Sequence, residues 1–148
     1  MSAATGGHDL EHIMSSGLNA ALGFRLDEAG ADRVVLSWTV GPHHLQPYGI
    51  VHGGVYCAAV EGSASIGAAL WFGDRGQVVG VSNHTNFLRA VREGDLVATA
   101  TPIHRGRSQQ LWLVEVTDDS GRVVARGEVR LQNLTGSSRS ASGQDRPQ

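Results

Sequence analysis

An α+β domain, in which an antiparallel sheet of about five strands wraps around one long central helix, is the fold class the sequence predicts, and three observations carry it. Residues 50–72 form a nearly uncharged run, IVHGGVYCAAVEGSASIGAALWF, with no polar stripe of the kind a surface helix shows. Four strand-like stretches follow that run and one precedes it. A helix so apolar, set between strands, is buried only if the sheet curls around it.

The elements follow in order. Residues 1–8 and 135–148 are small and polar and read as disordered ends of a single domain spanning 9–134. In residues 10–22, Leu10, Ile13, Met14, Leu18, Ala21 and Leu22 recur at helical spacing, which predicts a short amphipathic helix capped by Asp9. Residues 33–40 (RVVLSWTV) alternate, with Val34, Leu36, Trp38 and Val40 on one face of a strand that Gly41 and Pro42 end. The long helix starts near Gly54 and runs about 27 Å at ~1.5 Å per residue, buried nearly all round. Gly62 and Gly67 each cost about 1 kcal/mol against Ala inside a helix, a loss accepted where another backbone approaches closely. Its lack of charge comes from Ala, Gly and Ser rather than Leu and Phe, and Glu61 stands at its centre, which argues against a membrane span. Strands are predicted over 78–89, 96–104, 109–117 and 122–134. The last alternates most cleanly, with Val123, Ala125, Val129 and Leu131 against Arg126, Glu128, Arg130 and Gln132, as in an antiparallel strand with one wet face.

Composition narrows the function. The chain has 148 residues, 41% hydrophobic and 18% charged, a balance that supports one packed core. Twelve basic against fourteen acidic residues give a net charge of -2, so nucleic acid is not an expected partner. All the basic residues are arginine, which excludes Schiff-base chemistry and a phosphate-binding lysine. The single cysteine, Cys57, cannot form an internal disulfide, and the start MSAATGGHDL lacks the pattern of a signal peptide; a cytoplasmic protein is expected.

The chemistry concentrates between residues 46 and 65. A carboxylate buried in an apolar helix is costly to ionise, so Glu61 reads as a stronger base or nucleophile than a surface acid. Cys57 and Ser65 lie one turn to either side on its face, and a hydroxyl there can hold a water. Gly53 and Gly54 open the helix, where amides lack intrahelical acceptors and the dipole is positive; that end can polarise a carbonyl. Cys57 in an apolar helix reads as core rather than as a nucleophile. His43, His44 and His52 form no ligand set, so no metal is expected.

The ordered set Gln46-Pro47-Tyr48-Gly49-Ile50-Val51-His52-Gly53-Gly54, then Glu61, resembles the hotdog-fold thioesterase superfamily. More narrowly it resembles the glutamate-dependent branch like 4-hydroxybenzoyl-CoA thioesterase, which includes menaquinone-pathway enzymes acting on aryl-CoA. The likeness extends over residues 10–134 and takes in 78–80, 86–89 and the turn His104-Arg105-Gly106-Arg107. It implies hydrolysis of an aryl or medium-chain acyl-CoA, with Glu61 as base or nucleophile and the Gly53 amide and Gln46 side chain on the carbonyl oxygen. Each such donor is worth about 3 kcal/mol. His52 then orients the loop or contacts the thioester sulfur. The likeness also implies that Glu61 and Ser65 reach the site from the other subunit of a homodimer, itself paired into a dimer of dimers. For coenzyme A the likeness implies Gly54, Asn86, Arg89, His104, Arg105, Gly106 and Arg107, and for the acyl group Phe87, where some relatives carry a polar side chain. No cofactor is implied beyond the coenzyme A of the substrate. A non-catalytic acyl-CoA-binding domain and a hotdog hydratase are the alternatives; the hydratase would need an Asp-His pair in the loop and helix, and the helix holds neither.

Overall fold

The computed structural model describes residues 9–136; the expectations for residues 1–8 and 137–148 lie outside the described residues. Six strands, one more than expected, form a single sheet in the order β1-β2-β4-β5-β6-β3. They are β1 (Arg25–Ala29), β2 (Val34–Thr39), β3 (Gly76–Phe87), β4 (Asp95–Arg105), β5 (Gln109–Thr117) and β6 (Val123–Thr135). Every neighbouring pair is antiparallel. The additional strand, β1, reads RLDEA and is exposed at every position but Leu26. It has no apolar alternation to announce it, and its place comes from pairing with β2.

The predicted N-terminal helix is two helices, α1 (Leu10–Ser15) and α2 (Gly17–Ala21). Asp9 caps the first as expected, its side chain accepting from the His12 amide. Ser16 is extended, with φ -128° and ψ 160°, and breaks the run. The sequence Ser15-Ser16-Gly17 carries that break, since a glycine in the left-handed region follows, at φ 56°.

The central helix, α3 (Gly53–Phe72), lies against the concave face of the sheet and touches β2, β3, β4, β5 and β6. It is long and apolar enough to cross a membrane, but more than half of that span is buried inside the domain, as befits a core helix. Its burial is not complete. Val55, Tyr56, Ala59, Val60, Ser63, Ala64, Ile66, Gly67 and Ala68 are buried, while Ala58, Gly62, Ser65 and Ala69 are half-buried and Glu61 is exposed. Those five lie at helical spacing and form an open stripe beside β3, an edge strand of the sheet.

Gly67 is required by a ring rather than by the backbone expected there: a Cβ would stand 2.6 Å from the Trp112 indole. Around that indole the buried polar groups close on one another. Trp112 Nε1 donates to Gln110 Oε1 at 2.9 Å, and Gln110 Nε2 donates to Asn133 Oδ1 at 2.8 Å and to the Ala68 carbonyl at 3.2 Å. Asn133 Nδ2 in turn donates to the carbonyls of Gly106 and Arg107, at 3.0 and 3.2 Å. A fully paired network of this kind fixes the turn between β4 and β5 against the C-terminal end of α3.

Candidate active site

The loop entering α3 is held by its own polar groups. Gln46 and Ile50 bond through their backbones at 2.8 Å, and Leu45 bridges Val51. Arg92 Nη1 donates to the carbonyls of Tyr48 and Gly49, at 3.1 and 3.2 Å. The Gln46 Oε1 accepts from the Tyr48 amide. With its oxygen committed to the loop, Gln46 keeps its Nε2 donor end for another partner.

His52 caps the helix. Its Nδ1 accepts from the Gly54 amide at 2.8 Å, so a neutral ring carries its proton on Nε2. The Val55 amide bonds the His52 carbonyl at 3.0 Å. Of the first amides of α3, those of Gly54 and Val55 are therefore occupied, and among the described residues the Gly53 amide has no acceptor. Gly53 must be glycine for a second reason: a Cβ there would stand 2.6 Å from Phe87 Cζ. Gln46, Gly53, Tyr56, Phe87 and Arg89 line one cleft of about 290 Å³. Tyr56, which the sequence reading assigned no role, packs its ring 6.0 Å from that of Phe87. Burial pushes its hydroxyl up to about 12, so the phenol is not an acid or base at neutral pH. No hydrogen-bond partner for that hydroxyl is found among the described residues.

Glu61 departs from expectation. The residue is exposed in the single chain, so the burial argued from the apolar run is not met within one protomer. It lies over Gly80 of β3, where a Cβ would stand 2.7 Å from Glu61 Oε1. Ser65, one turn on, faces an apolar groove of about 380 Å³ with Leu10, Ile13, Gly62, Leu70 and Val78. Gly53 and Glu61 are on the same helix, so their separation along its axis is about 12 Å. Within one chain the cleft at Gly53 and the groove at Ser65 are thus separate.

The residues assigned to coenzyme A divide further. Arg89 is at the Gly53 cleft, whereas His104, Arg105, Gly106 and Arg107 are at the other end of α3, so one chain does not bring Arg89 and the turn together. Arg105 is committed at home: Nη1 donates to the Ala31 carbonyl and to Asp32 Oδ1, both at 2.8 Å, and its guanidinium lies 5.3 Å from the Trp71 ring. Arg107 is exposed and forms no ion pair among the described residues. The His104 ring lies against Gly106, with Nε2 2.7 Å from a Cβ position there. Asn86 faces a polar depression with His84, Arg126 and Glu128, apart from the cleft that holds Phe87. His43 and His44 do not splay to opposite faces as an extended chain would place them; their ring centroids are 3.9 Å apart. The His44 ring is spent on the backbone, accepting from the Gly41 amide at 2.9 Å and donating to the Leu22 carbonyl at 2.7 Å.

A six-stranded antiparallel sheet with one long helix against it is the architecture of hotdog thioesterases. The profile described as thioesterase superfamily matches residues 48–125, and the chain belongs to that superfamily, whose reaction class is thioester hydrolysis. AziG from S. sahachiroi, a solved structure, is 50% identical with a TM-score of 0.79, covering 81% of this chain and 98% of that one. A thioesterase from Haemophilus influenzae is 29% identical with a TM-score of 0.81, covering 86% of this chain and 89% of that one. Among curated proteins, the Escherichia coli 1,4-dihydroxy-2-naphthoyl-CoA hydrolase is 30% identical over 117 residues, 77% of this chain and 86% of that one.

Proposed function

We propose that the protein hydrolyses an aryl or medium-chain acyl-CoA to the free acid and coenzyme A, at sites each completed by a second copy of the chain in the cytoplasm. The observation that carries this reading is the Gly53 amide, left without an acceptor at the mouth of α3 and sharing a cleft with the donor end of Gln46. Two fixed donors in one cleft suit the oxyanion that forms when a thioester carbonyl is attacked. The likeness to a curated acyl-CoA hydrolase supports coenzyme A as the thiol carrier.

The reacting carboxylate comes from the partner. Along one helix Glu61 is about 12 Å from Gly53, while the open stripe of α3 and the free edge of β3 lie side by side, ready to meet the same surfaces of a second chain. Such a union continues the sheet through β3 and covers Glu61. Glu61 then takes a proton from water as hydroxide adds to the carbonyl carbon, or adds to that carbon itself and is freed when water opens the anhydride. In both routes the oxyanion collapses with loss of the thiolate, which is protonated to coenzyme A. Trapping in labelled water during a single turnover separates them, since only the covalent route puts solvent oxygen into Glu61.

Glu61→Gln should lower kcat by about 10³-fold with substrate binding retained. Chains carrying Gln46→Ala and chains carrying Glu61→Gln, each inactive alone, should regain activity in mixed dimers because one composite site is intact. Verified heterodimers that stay inactive would put each site within one chain, and a Glu61→Gln enzyme with more than about a tenth of normal activity would remove Glu61 from the chemistry.

A further inference from the structure

We infer that Gly80 and the β-bulge beside it form a notch in the edge strand that positions the Glu61 carboxylate, an inference that rests on Glu61 being the reacting group. Glycine inside a strand weakens it and needs a reason. Backbone conformation is not the reason, because Gly80 is absent from the glycines with positive φ and any residue could adopt its geometry. The reason is the carboxylate. A Cβ at position 80 would meet Glu61 Oε1 at 2.7 Å and Glu61 Cδ at 3.6 Å, and no other heavy atom within 4 Å. The register of β3 on β6 slips between Gly80 and Ser82, a bulge at the point where the strand passes under Glu61. Bulges in this position re-aim what the strand presents.

A clamp keeps the notch in place. Asn83 Nδ2 donates to the Cys57 carbonyl at 3.0 Å, and Thr85 Oγ1 donates to Asn83 Oδ1 at 2.7 Å, which fixes the amide's orientation. Cys57 is one turn before Glu61 and Asn83 follows the bulge. The strand is therefore tied to the helix at the turn preceding the carboxylate, and Gly80 falls beneath it. Gly80 is a positioning residue: it touches no substrate and acts through Glu61.

The same geometry says what Gly80→Ala does. The clash is with the far end of a flexible side chain, so the cheapest relief is rotation of Glu61, which leaves the fold intact and moves the carboxylate. A misplacement of this size costs up to about 10²-fold in rate. The test is a double-mutant cycle on the assembled protein, with Gly80→Ala made in the native and the Glu61→Asp backgrounds. In the native background kcat should fall about 10²-fold while KM stays within about twofold. In the Glu61→Asp background Gly80→Ala should change kcat by less than about threefold, because the shorter carboxylate stops about 1.5 Å short of the notch. Equal losses in both backgrounds, the mark of general damage, would overturn the inference, as would native kcat in Gly80→Ala. If Gly80→Ala chains do not fold, Asn83→Ala takes their place in the cycle; it should lower kcat more in the native than in the Glu61→Asp background, and equal losses again overturn the inference. An active Glu61→Gln enzyme would instead remove the reading on which the inference rests.

Discussion

The two ends of α3 treat their polar groups in opposite ways. At the C-terminal end most groups are spent on the protein: Gln110 joins Trp112, Asn133 and Ala68, Arg75 donates to the carbonyls of Trp71 and Phe72, and Arg105 holds Ala31 and Asp32, with Arg107 left exposed. At the N-terminal end His52 and the Tyr48 turn occupy some groups and, among the described residues, leave the Gly53 amide and the Gln46 Nε2 open. Satisfied buried groups stabilise a fold, while groups held rigid and unpaired wait for a ligand. One helix therefore has paired groups at one end and, at the other, the donors on which the proposed chemistry rests.

Three further experiments can break that contrast. The largest effect is expected at the anchored end. Gln110→Leu strands the Trp112 indole, the Asn133 carbonyl oxygen and the Ala68 carbonyl, and should lower unfolding free energy by about 3 kcal/mol in urea titrations while kcat per folded molecule is unchanged. A stable but inactive Gln110→Leu would show that this end takes part in the chemistry.

A smaller effect separates the two arginines of the β4–β5 turn. Arg105→Ala loses bonds to a carbonyl and to an exposed aspartate and should lower stability by about 1 kcal/mol, with KM unaltered. Arg107→Ala should leave stability alone and raise KM for coenzyme A thioesters about fivefold, the equivalent of one exposed contact of about 1 kcal/mol, with no change for thioesters truncated at the pantetheine arm. Equal losses on full and truncated thioesters would make Arg107 a solvated turn residue.

The smallest effect concerns the loop beneath the open end. Burial holds the His44 imidazole below its ordinary 6.5; the Leu22 carbonyl opposes this and His43 adds to it. The unfolded chain thus takes up the proton at a higher pH than the folded one, so the contribution of His44 to stability is whole above pH 6.5 and declines as the pH falls below it. The geometry agrees, because a proton on Nδ1 would face the Gly41 amide that it now accepts from. Comparing native and His44→Asn urea midpoints from pH 8 to pH 5 should show the native advantage shrinking with acid; an advantage that grows would reverse the assignment.

Local pattern was sufficient for much of this. Alternation marked β2, β4, β5 and β6, since one face or both must be apolar to be buried, and the run from Val55 to Phe72 could be nothing but an interior helix. The spacing from Gln46 through Gly53 to Glu61 points, in the sequence, to the proposed site, because a helix mouth and a carboxylate on the same helix are defined by sequence distance alone. What needed the tertiary structure was every feature set by a neighbour distant in the chain. β1 is a strand because β2 offers it partners, and Gly67 is a glycine because an indole from β5 lies on it. Arg105 is paired because Asp32 meets it, and Glu61 is exposed because nothing among the described residues covers that face. Sequence specifies which groups can be buried or can react, but whether each one is paired, covered or left open depends on contacts between residues far apart in the chain, and those exist only once the sheet has closed around the helix.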